Sequence, residues 1–373
     1  MKGQKTVLLC LFIVGAVLLS AGHGFCLSYK VFHLGGYLGD ENGAVNNSGR
    51  VIGRYTIDDV RQAVITGPAT PMVGLGTLGG YRPSSYGIGI NNLGQATGYS
   101  KIKMGPNEAF FWDGAAMTGI GTLGSTYSRG YGINDRGHIA GESRNPDDKM
   151  RAFFWDGQTM KDLGVLGQDK DKSLSRARAI NSHDVVVGYS QTIGFGNQAF
   201  AWDSGSGMRA LGTLGGEWSA AAGINDAGQI VGQSASATGN DQAFLWQGVT
   251  MTGLGFLAGH DQSWAEAINN LGQVVGSSYA LQNWDEPRAF LWENGAMVDL
   301  NHFIDPDSGW VLEKAFDISD TGMICGKGLF NGNSQSFCLV PHAVPVPTSF
   351  VLMVSGLMGL AGFVQKPPRP AAK

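Results

Sequence analysis

One sequence pattern recurs seven times between Lys30 and Pro341, and it constrains the fold more than any other feature of this chain. Each copy has an Asn or Ser before a turn, and these anchors lie 43 to 50 residues apart: Asn46, Asn91, Asn134, Asn181, Asn225, Asn269 and Ser319. A repeat of this length is one supersecondary unit that cannot bury its own apolar face. The copies must therefore pack against one another, as a propeller, a solenoid or a stacked array.

Each copy has the pattern of four short strands. In the clearest copy, a small-residue strand (219–224) is followed by an Asn-Asp-x-Gly turn and a second strand (229–232). A third strand with bulky aromatic residues (243–246) and a fourth (251–257) complete the unit. Asn and Asp start turns through their side chains and Gly accepts a positive φ, so the turn predicts a tight hairpin. Four strands per unit fit a propeller blade.

The two ends of the repeat region favour a closed ring. The region begins with a lone strand of the fourth type (30–34) and ends after a strand of the third type (336–339), so the first strand completes the last unit. Such an offset removes exposed sheet edges in a ring, and an open array does not need it. We therefore expect an all-β fold over residues 29–343. It is a seven-bladed β-propeller of four-stranded blades, closed by the N-terminal strand; a β-solenoid or stacked sheets are the alternative.

Both ends of the chain resemble targeting segments. Residues 1–28 combine Lys2 and Lys5 with an apolar run (7–19) and small residues (20–24), the layout of a secretory signal peptide. Residues 344–373 contain Pro345 and Pro347, an apolar stretch (350–364) and a basic tail. The sequence predicts an exported protein with a short C-terminal transmembrane anchor, and the alternative for the apolar stretch is a buried core helix.

Three cysteines remain outside the predicted signal-peptide core, and all three map to the closing blade: Cys26, Cys325 and Cys338. An odd number allows one disulfide within the chain at most. A disulfide there would tie the ends together, and free buried thiols are the alternative.

Motifs for cofactor or metal chemistry are weak. Two segments (74–79 and 119–124) match the dinucleotide fingerprint Gly-x-Gly-x-x-Gly, but no helical pattern follows either one, so we interpret them as strand ends. The histidines and cysteines lack zinc-ligand spacing. A net charge of −4 without a basic stripe argues against nucleic acid as a partner. We expect no cofactor, no metal and no catalytic residue.

A binding surface is expected where the sequence stops repeating, in the loops between second and third strands and between units. Candidate ligand-binding residues in or beside these loops are Tyr127, Trp218, Asp261, Trp264 and Trp284. Aromatic rings beside amide and carboxylate groups suit sugars or a protein partner, although such rings also simply cover blade edges. The sequence favours a non-catalytic binding or scaffold module for extracellular polysaccharide or a surface protein. The rival is a polysaccharide hydrolase or lyase that uses acidic residues on the same face.

The repeats resemble the extracellular HAF repeat family. Its hallmarks appear here as Ala243-Phe244-Leu245-Trp246, Leu211-Gly212-Thr213-Leu214-Gly215-Gly216 and Ile224-Asn225-Asp226-Ala227-Gly228. The resemblance implies an exported repeat protein and no chemistry.

The C-terminal segment resembles the PEP-CTERM sorting signal, through Pro345-Val346-Pro347, the Gly- and Leu-rich stretch 356–362 and the basic tail. Val346 stands where that family usually has Glu. The resemblance implies a sorting enzyme of the exosortase type as a partner. The protein would then be anchored in the inner membrane, or released to the cell surface or extracellular space after processing.

Overall fold

The computed structural model describes residues 25–34, 43–80, 82–101, 106–167, 173–192, 196–281 and 283–345, without the side chains of 25–27, 192, 283–285 and 343–345. Residues Val31–Val340 form one compact unit. A second unit comprises Met1–Lys30 and Pro341–Lys373. Its described residues are the first part of the strand Phe25–His33 and the end of the strand Asn333–Pro345.

The described chain forms seven antiparallel sheets, the blades, which follow one another along the sequence. The strand bounds are β1 (Phe25–His33); in blade 1, β2 (Val51–Ile57), β3 (Val60–Gly67) and β4 (Thr70–Gly74); in blade 2, β5 (Ser85–Ile90), β6 (Ala96–Lys101), β7 (Asn107–Trp112) and β8 (Met117–Gly119); in blade 3, β9 (Ser128–Ile133), β10 (Ile139–Arg144), β11 (Met150–Trp155) and β12 (Met160–Asp162); in blade 4, β13 (Leu174–Ile180), β14 (Val186–Thr192), β15 (Gly196–Asp203) and β16 (Gly207–Ala210); in blade 5, β17 (Gly215–Ile224), β18 (Ile230–Ser236), β19 (Asp241–Gln247) and β20 (Thr250–Gly253); in blade 6, β21 (Gln262–Ile268), β22 (Val274–Ala280), β23 (Asn283–Glu293) and β24 (Ala296–Asp299); in blade 7, β25 (Trp310–Ile318), β26 (Ile324–Phe330) and β27 (Asn333–Pro345). Two short 3-10 helices, Leu300–Phe303 and Pro306–Ser308, connect blades 6 and 7.

The predicted seven-bladed β-propeller is confirmed. The first strands of successive blades contact one another, which places them around the centre. Six sheets have four strands, as predicted. The sheet of blade 1 has three among the described residues, and its innermost segment is limited to an isolated bridge between Val45 and Val51. The outermost strands are shorter than expected. β8, for example, ends at Gly119, and the residues that follow in each predicted fourth strand connect one blade to the next.

A glycine at one position of the second strand allows each blade to close on its core. In blade 5, the innermost strand β17 bulges between Ala221 and Gly223, opposite Gly232. A Cβ on Gly232 would collide with the main-chain oxygen of Ala220, and the equivalent glycines of blades 2, 3, 4, 6 and 7 face the same conflict. Gly232 also pairs with Phe244, whose ring is fully buried. The glycine that recurs in the second strand therefore leaves room for the bulge of the innermost strand and for the Phe ring of the third strand.

The core consists of apolar layers between neighbouring blades. A fully buried Phe occupies the third strand of six blades: Phe110, Phe153, Phe200, Phe244, Phe290 and Phe337. Between blades 4 and 5, Phe244 packs with Val187, Ala199 and Ala221. Burial of such a side chain contributes roughly 1.5–3 kcal/mol, so these layers supply much of the stability.

The repeated Leu-Gly-x-Leu-Gly segment is the connection between blades and not a nucleotide loop. In the connection after blade 2, the N–H of Ile120 donates to the main-chain oxygen of Ala109 over 3.0 Å. The Ser128 hydroxyl of the next blade accepts from Ala109 N and donates to the oxygen of Gly121. The same Ser contacts recur at Ser85, Ser175, Ser219 and Ser263.

The first strand completes the last blade, as the sequence predicts, in the strand order β1-β27-β26-β25. The His33 ring lies 5.8 Å from the ring of Trp310 and 5.6 Å from that of Phe330. Leu34 packs in one apolar cluster with Val45 of blade 1 and with Met323 of blade 7. Blades 1 and 7 are thus joined around the ring.

The structure joins Cys325 to Cys338 by a disulfide between the neighbouring strands β26 and β27. The bond therefore crosslinks two strands within the closing blade. The sequence had suggested a disulfide that ties the two ends of the chain together, and this bond does not do so. Cys26 lies in β1, but its side chain is outside the description.

The hairpin turns between first and second strands make up the turn face, where the anchors form a hydrogen-bonded ring. Each Asn anchor donates Nδ2–H to the main-chain oxygen of the next anchor over 2.9–3.1 Å, from Asn46 to Ser319. The residues after the anchors form a second, outer ring from N–H to side-chain oxygen.

Each ring is interrupted at one blade boundary, the outer ring between blades 3 and 4 and the inner ring between blades 7 and 1, and carboxylates lie at both gaps. Between blades 3 and 4, Asp184 has φ +63° where the other turns have Gly, and it accepts hydrogen bonds from Asn134 and Arg136. Between blades 7 and 1, the half-buried Asp317 accepts the N–H of Val45 over 2.8 Å. Asp320 accepts from the Asn47 side chain over 3.0 Å, so the ring is closed there by carboxylates.

Candidate ligand-binding face

The face opposite the turn face, the loop face, carries the connections between second and third strands and between blades. The structure brings the predicted residues to this face, but on strands more than on loops. Trp218 lies within β17 and Trp264 within β21, whereas Tyr127 and Asp261 directly precede β9 and β21. Both tryptophans thus lie on strands beside the loops. β17 begins at Gly215, earlier than the strand that the repeat pattern predicts (219–224), so Trp218 is part of this strand.

Two of the predicted tryptophans belong to one group on blades 5 and 6, the tryptophan cluster: Trp218, Asp241, Asp261, Trp264 and Tyr279. The rings of Trp264 and Tyr279 meet edge to face, with centroids 5.6 Å apart. The Asp261 carboxylate accepts the N–H of Leu281 over 2.7 Å, which fixes it at the end of β22. The cluster thus combines large rings with hydrogen-bonding oxygens.

The carboxylates of this cluster are electrostatically coupled to its phenol. Burial raises the pKa of Asp241, and the adjacent Gln233 and Trp218 side chains partly oppose that rise. Burial also raises the pKa of Tyr279, and the charges of Asp241 and Asp261 raise it further. Tyr279 therefore stays a neutral hydrogen-bonding group near neutral pH.

The buried indole nitrogen Nε1 of Trp264 has no hydrogen-bond partner among the described residues. On the other side of this indole, Lys314 Nζ lies 6.0 Å from the ring and 2.6 Å from the Glu266 carboxylate. A buried donor without an acceptor is unfavourable by about 1–3 kcal/mol, so an acceptor at this position would stabilise the cluster.

Tyr127 does not join the tryptophans and instead belongs to a second group, the arginine–tyrosine network of blades 1 to 4. Its members are Arg54, Tyr86, Tyr99, Tyr127, Arg129, Tyr131, Glu142, Arg176 and Arg178. The rings of Tyr86 and Tyr99 are stacked, 4.6 Å apart. Arg54 covers the outer side of Tyr86 at 4.9 Å, and Arg129 covers Tyr99 at 4.3 Å.

A buried carboxylate holds the far end of this network. Glu142 is 1% exposed and accepts the hydroxyls of Tyr127 and Tyr131 over 2.9 and 3.1 Å. It also forms an ion pair with Arg176, 2.9 Å from Nε. Burial lowers the pKa of Arg176, but Glu142, Tyr189 and Tyr131 together raise it by more, so the guanidinium stays charged. Burial and Glu142 together raise the pKa of Tyr131 to about 12.

Arg178 lies over the Tyr131 ring at 5.3 Å, and no carboxylate pairs with it among the described residues. The network therefore has more cations than anions. The linear sequence has no basic stripe, yet the fold gathers arginines from three blades, 1, 3 and 4, on one face.

A cleft of about 350 Å³ lies at the blade 1 end of the network and is lined by Arg54, Tyr55, Thr56 and Arg61. Thr56 pairs directly with Arg61 across the β2–β3 hairpin, and Arg54 is two residues further along β2. Because alternate residues share one side of a strand, these three side chains point to the same side.

Sequence reasoning missed Arg54, Arg61, Arg129, Arg176, Arg178, Glu142 and Asp241. Part of a signal was present: where blade 5 has Ala220, blades 3 and 4 have Arg129 and Arg176, and where blade 5 has Ala222, blade 4 has Arg178. Departures from the small-residue pattern mark the side chains that face the centre.

Several other predictions fall outside what the structure describes. Trp284 lies in β23, but its side chain is outside the described residues. Pro345 ends β27, and Pro347 and the predicted anchor (350–364) lie outside the described residues. Among the described residues no helix has the length and apolar character needed to span a membrane. No group of three or more potential metal ligands converges in the same part of the chain.

Comparison with known proteins bears on the fold alone. No protein-family model matches the sequence, and no curated protein matches it. The structure is similar to the β-propeller domain of the Trilobed protease from Pyrococcus furiosus, with a TM-score of 0.52 and 10% identity over 85% of this chain and 95% of that one. A weaker likeness is to acylaminoacyl peptidase from Pyrococcus horikoshii, with a TM-score of 0.49 and 11% identity over 87% of this chain and 54% of that one. Another is to SapL1 lectin in complex with α-methyl fucoside, with a TM-score of 0.40 and 16% identity over 70% of this chain and 96% of that one. At these identities the likeness to the Trilobed protease domain establishes that the chain has a β-propeller fold and leaves its chemistry open.

Proposed function

We propose that this protein is an exported, surface-associated β-propeller that binds extracellular polysaccharide on its loop face without modifying it. The observation that carries the proposal is the tryptophan cluster, where the rings of Trp218, Trp264 and Tyr279 lie beside the carboxylates of Asp241 and Asp261. Sugars present apolar C–H faces and hydroxyls together, and rings beside hydrogen-bonding oxygens complement both.

Two features of the cluster support binding over simple edge covering. An edge-covering ring needs no polar partner, whereas burial at Asp241 raises its carboxyl pKa and Trp264 Nε1 lacks an acceptor. A buried carboxyl and a buried N–H without an acceptor both make the free energy of folding less favourable. Such groups are typical of a site in which a ligand supplies the missing hydrogen bonds.

Export and attachment are also part of the proposal. Residues 1–28 would direct export, and residues 344–373 would act as a sorting signal that tethers the protein or releases it to the surface after processing. Comparing the mass of the mature protein in membrane and secreted fractions tests this part. A C-terminus intact in every fraction would contradict processing.

The binding proposal is tested with the full chain by affinity electrophoresis through gels containing a neutral β-glucan, an arabinoxylan or polygalacturonate. We expect at least one polymer to retard the wild type, and Trp218→Ala and Trp264→Ala to lose that retardation. Leu93→Ala is the matched control, because Leu93 is 68% exposed in a turn of the opposite face. Unretarded migration in all three polymers, or equal retardation of the tryptophan variants, would contradict the proposal.

The rival hydrolase or lyase function is favoured by one feature, the raised pKa of Asp241, since a general acid must hold its proton near neutral pH. It predicts release of reducing or unsaturated products that Asp241→Asn abolishes. Retardation without product release supports the binding module.

A further inference from the structure

We infer that the cleft on blade 1 is a binding subsite for the carboxylate of an acidic sugar, held by Arg54 and Arg61. The inference rests on the proposed function, because it assigns the ligand class, a uronate-containing polysaccharide, to the same loop face.

The first step is the unused charge of the two arginines. Neither Arg54 nor Arg61 pairs with a carboxylate among the described residues. Asp58 and Asp59 form the turn between β2 and β3 and make no ion pair with either arginine. Two guanidinium groups on one side of a hairpin can each donate two parallel hydrogen bonds to a carboxylate, and Thr56 between them adds a hydroxyl.

The second step is preorganisation. Arg54 is held over the Tyr86 ring, and Tyr86 is stacked on Tyr99, whose other face is covered by Arg129. A guanidinium packed on an aromatic face has already lost much of its rotamer freedom, so less entropy is lost when a ligand binds.

The third step separates an acidic sugar from single-stranded nucleic acid, the other ligand that an arginine–tyrosine surface suits. Nucleic acid binding needs free aromatic faces on which bases stack. Here the outward faces of both stacked rings are covered by arginines. The Tyr55 ring, 40% exposed, remains as a single platform beside a cleft of about 350 Å³, a volume suited to a small ligand or a few sugar units.

The experiment is calorimetric titration of the full chain with hexagalacturonate, with cellohexaose, sodium acetate and hexathymidylate as comparison ligands. We expect hexagalacturonate to bind, the affinity to fall as salt is raised, and the variant R54Q/R61Q to bind at least about tenfold more weakly. Arg209→Gln is the matched control. Arg209 also lies over an aromatic ring, that of Trp246 at 5.7 Å, but on the outer strand β16. It should bind like the wild type.

Several results would overturn the inference: an unchanged affinity of R54Q/R61Q, equal binding of cellohexaose, binding of acetate as tight as that of hexagalacturonate, or tighter binding of hexathymidylate at the same arginines. If R54Q/R61Q does not fold, Arg61→Gln alone serves, since the Arg61 side chain is exposed. Its effect should be about tenfold. The two proposals can fail independently of each other. If the tryptophan variants lose binding and R54Q/R61Q does not, the proposed polysaccharide-binding function stands and the proposed uronate subsite is wrong.

Discussion

The two faces of the propeller are built from the same repeats, but residue types recur from blade to blade on the turn face and change from blade to blade on the loop face. On the turn face, Asn recurs at six of the seven anchors, and each Asn bonds to the anchor of the next blade, as Asn225 does to Asn269. On the loop face, equivalent positions of the innermost strands hold Arg129, Arg176, Ala220, Trp264 and Lys314. Repetition thus marks the face that holds the ring together, and variation marks the face available to a ligand.

The comparison assigns stability to the turn face and binding to the loop face. Variants of the turn face should therefore lower the free energy of unfolding, and variants of the loop-face cleft should change binding with little effect on it.

The closing carboxylate Asp317 should make stability depend on pH. Burial raises its pKa to about 7, against an ordinary value of 3.8, although two backbone N–H groups oppose the rise. The folded state then binds more protons than the unfolded state between about pH 4 and pH 7, so stability falls as pH rises through this window, by up to about 4 kcal/mol. Asp317→Asn should lack this fall in urea unfolding measured at several pH values. Parallel pH profiles for the two proteins would argue against a protonated Asp317.

The anchor ring should be the next most sensitive feature. Asn225 is 3% exposed and bonds to Asn269, to the Gln229 side chain and to Gln229 N. Asn225→Ala leaves buried partners unpaired and should lower the free energy of unfolding by about 2–3 kcal/mol. Asn270→Ala in the exposed outer ring should lower it by less than about 1 kcal/mol. Similar losses in both variants would mean that burial does not distinguish the two rings.

A loop-face hydrogen bond to a buried carboxylate should have an intermediate effect. Tyr127→Phe removes one of the two hydroxyls that Glu142 accepts and should lower the free energy of unfolding by about 1 kcal/mol. The Tyr131 hydroxyl still donates to the same carboxylate oxygen and the ion pair with Arg176 remains, which limits the loss. Chemical denaturation measures it, and a loss as large as that of Asn225→Ala would remove the contrast between the faces.

The smallest effect on stability is expected in the cleft. Arg61 is exposed, so Arg61→Gln should change the free energy of unfolding by no more than about 0.5 kcal/mol while weakening uronate binding. Thermal unfolding and calorimetry on the same preparation separate the two quantities. A marked loss of stability would make Arg61 structural.

The fold was predictable because it depends on features that repeat. The Asn and Gly of most turns and the second-strand glycine opposite Phe244 recur from blade to blade, and the offset at the ends indicates closure of the ring. The innermost segment of blade 1 carried no such signal, and its described residues form no strand beyond the isolated bridge between Val45 and Val51.

The candidate sites were less predictable because they arise between blades. Arg54 meets Tyr86, and Glu142 meets Arg176, across blade boundaries that separate them by more than thirty residues in the sequence. No linear motif encodes such a meeting. Trp218 was found by its chemistry, but its position in β17 depends on a bulge that only the paired strands reveal.

Hydrogen–deuterium exchange with and without hexagalacturonate tests the division between the faces most directly. The account predicts slower exchange in the β2–β3 hairpin around Thr56 and Arg61 and at the start of the innermost strands, with unchanged exchange in the turns that follow Asn46 to Asn269. Protection confined to those turns, or spread equally over both faces, would contradict it.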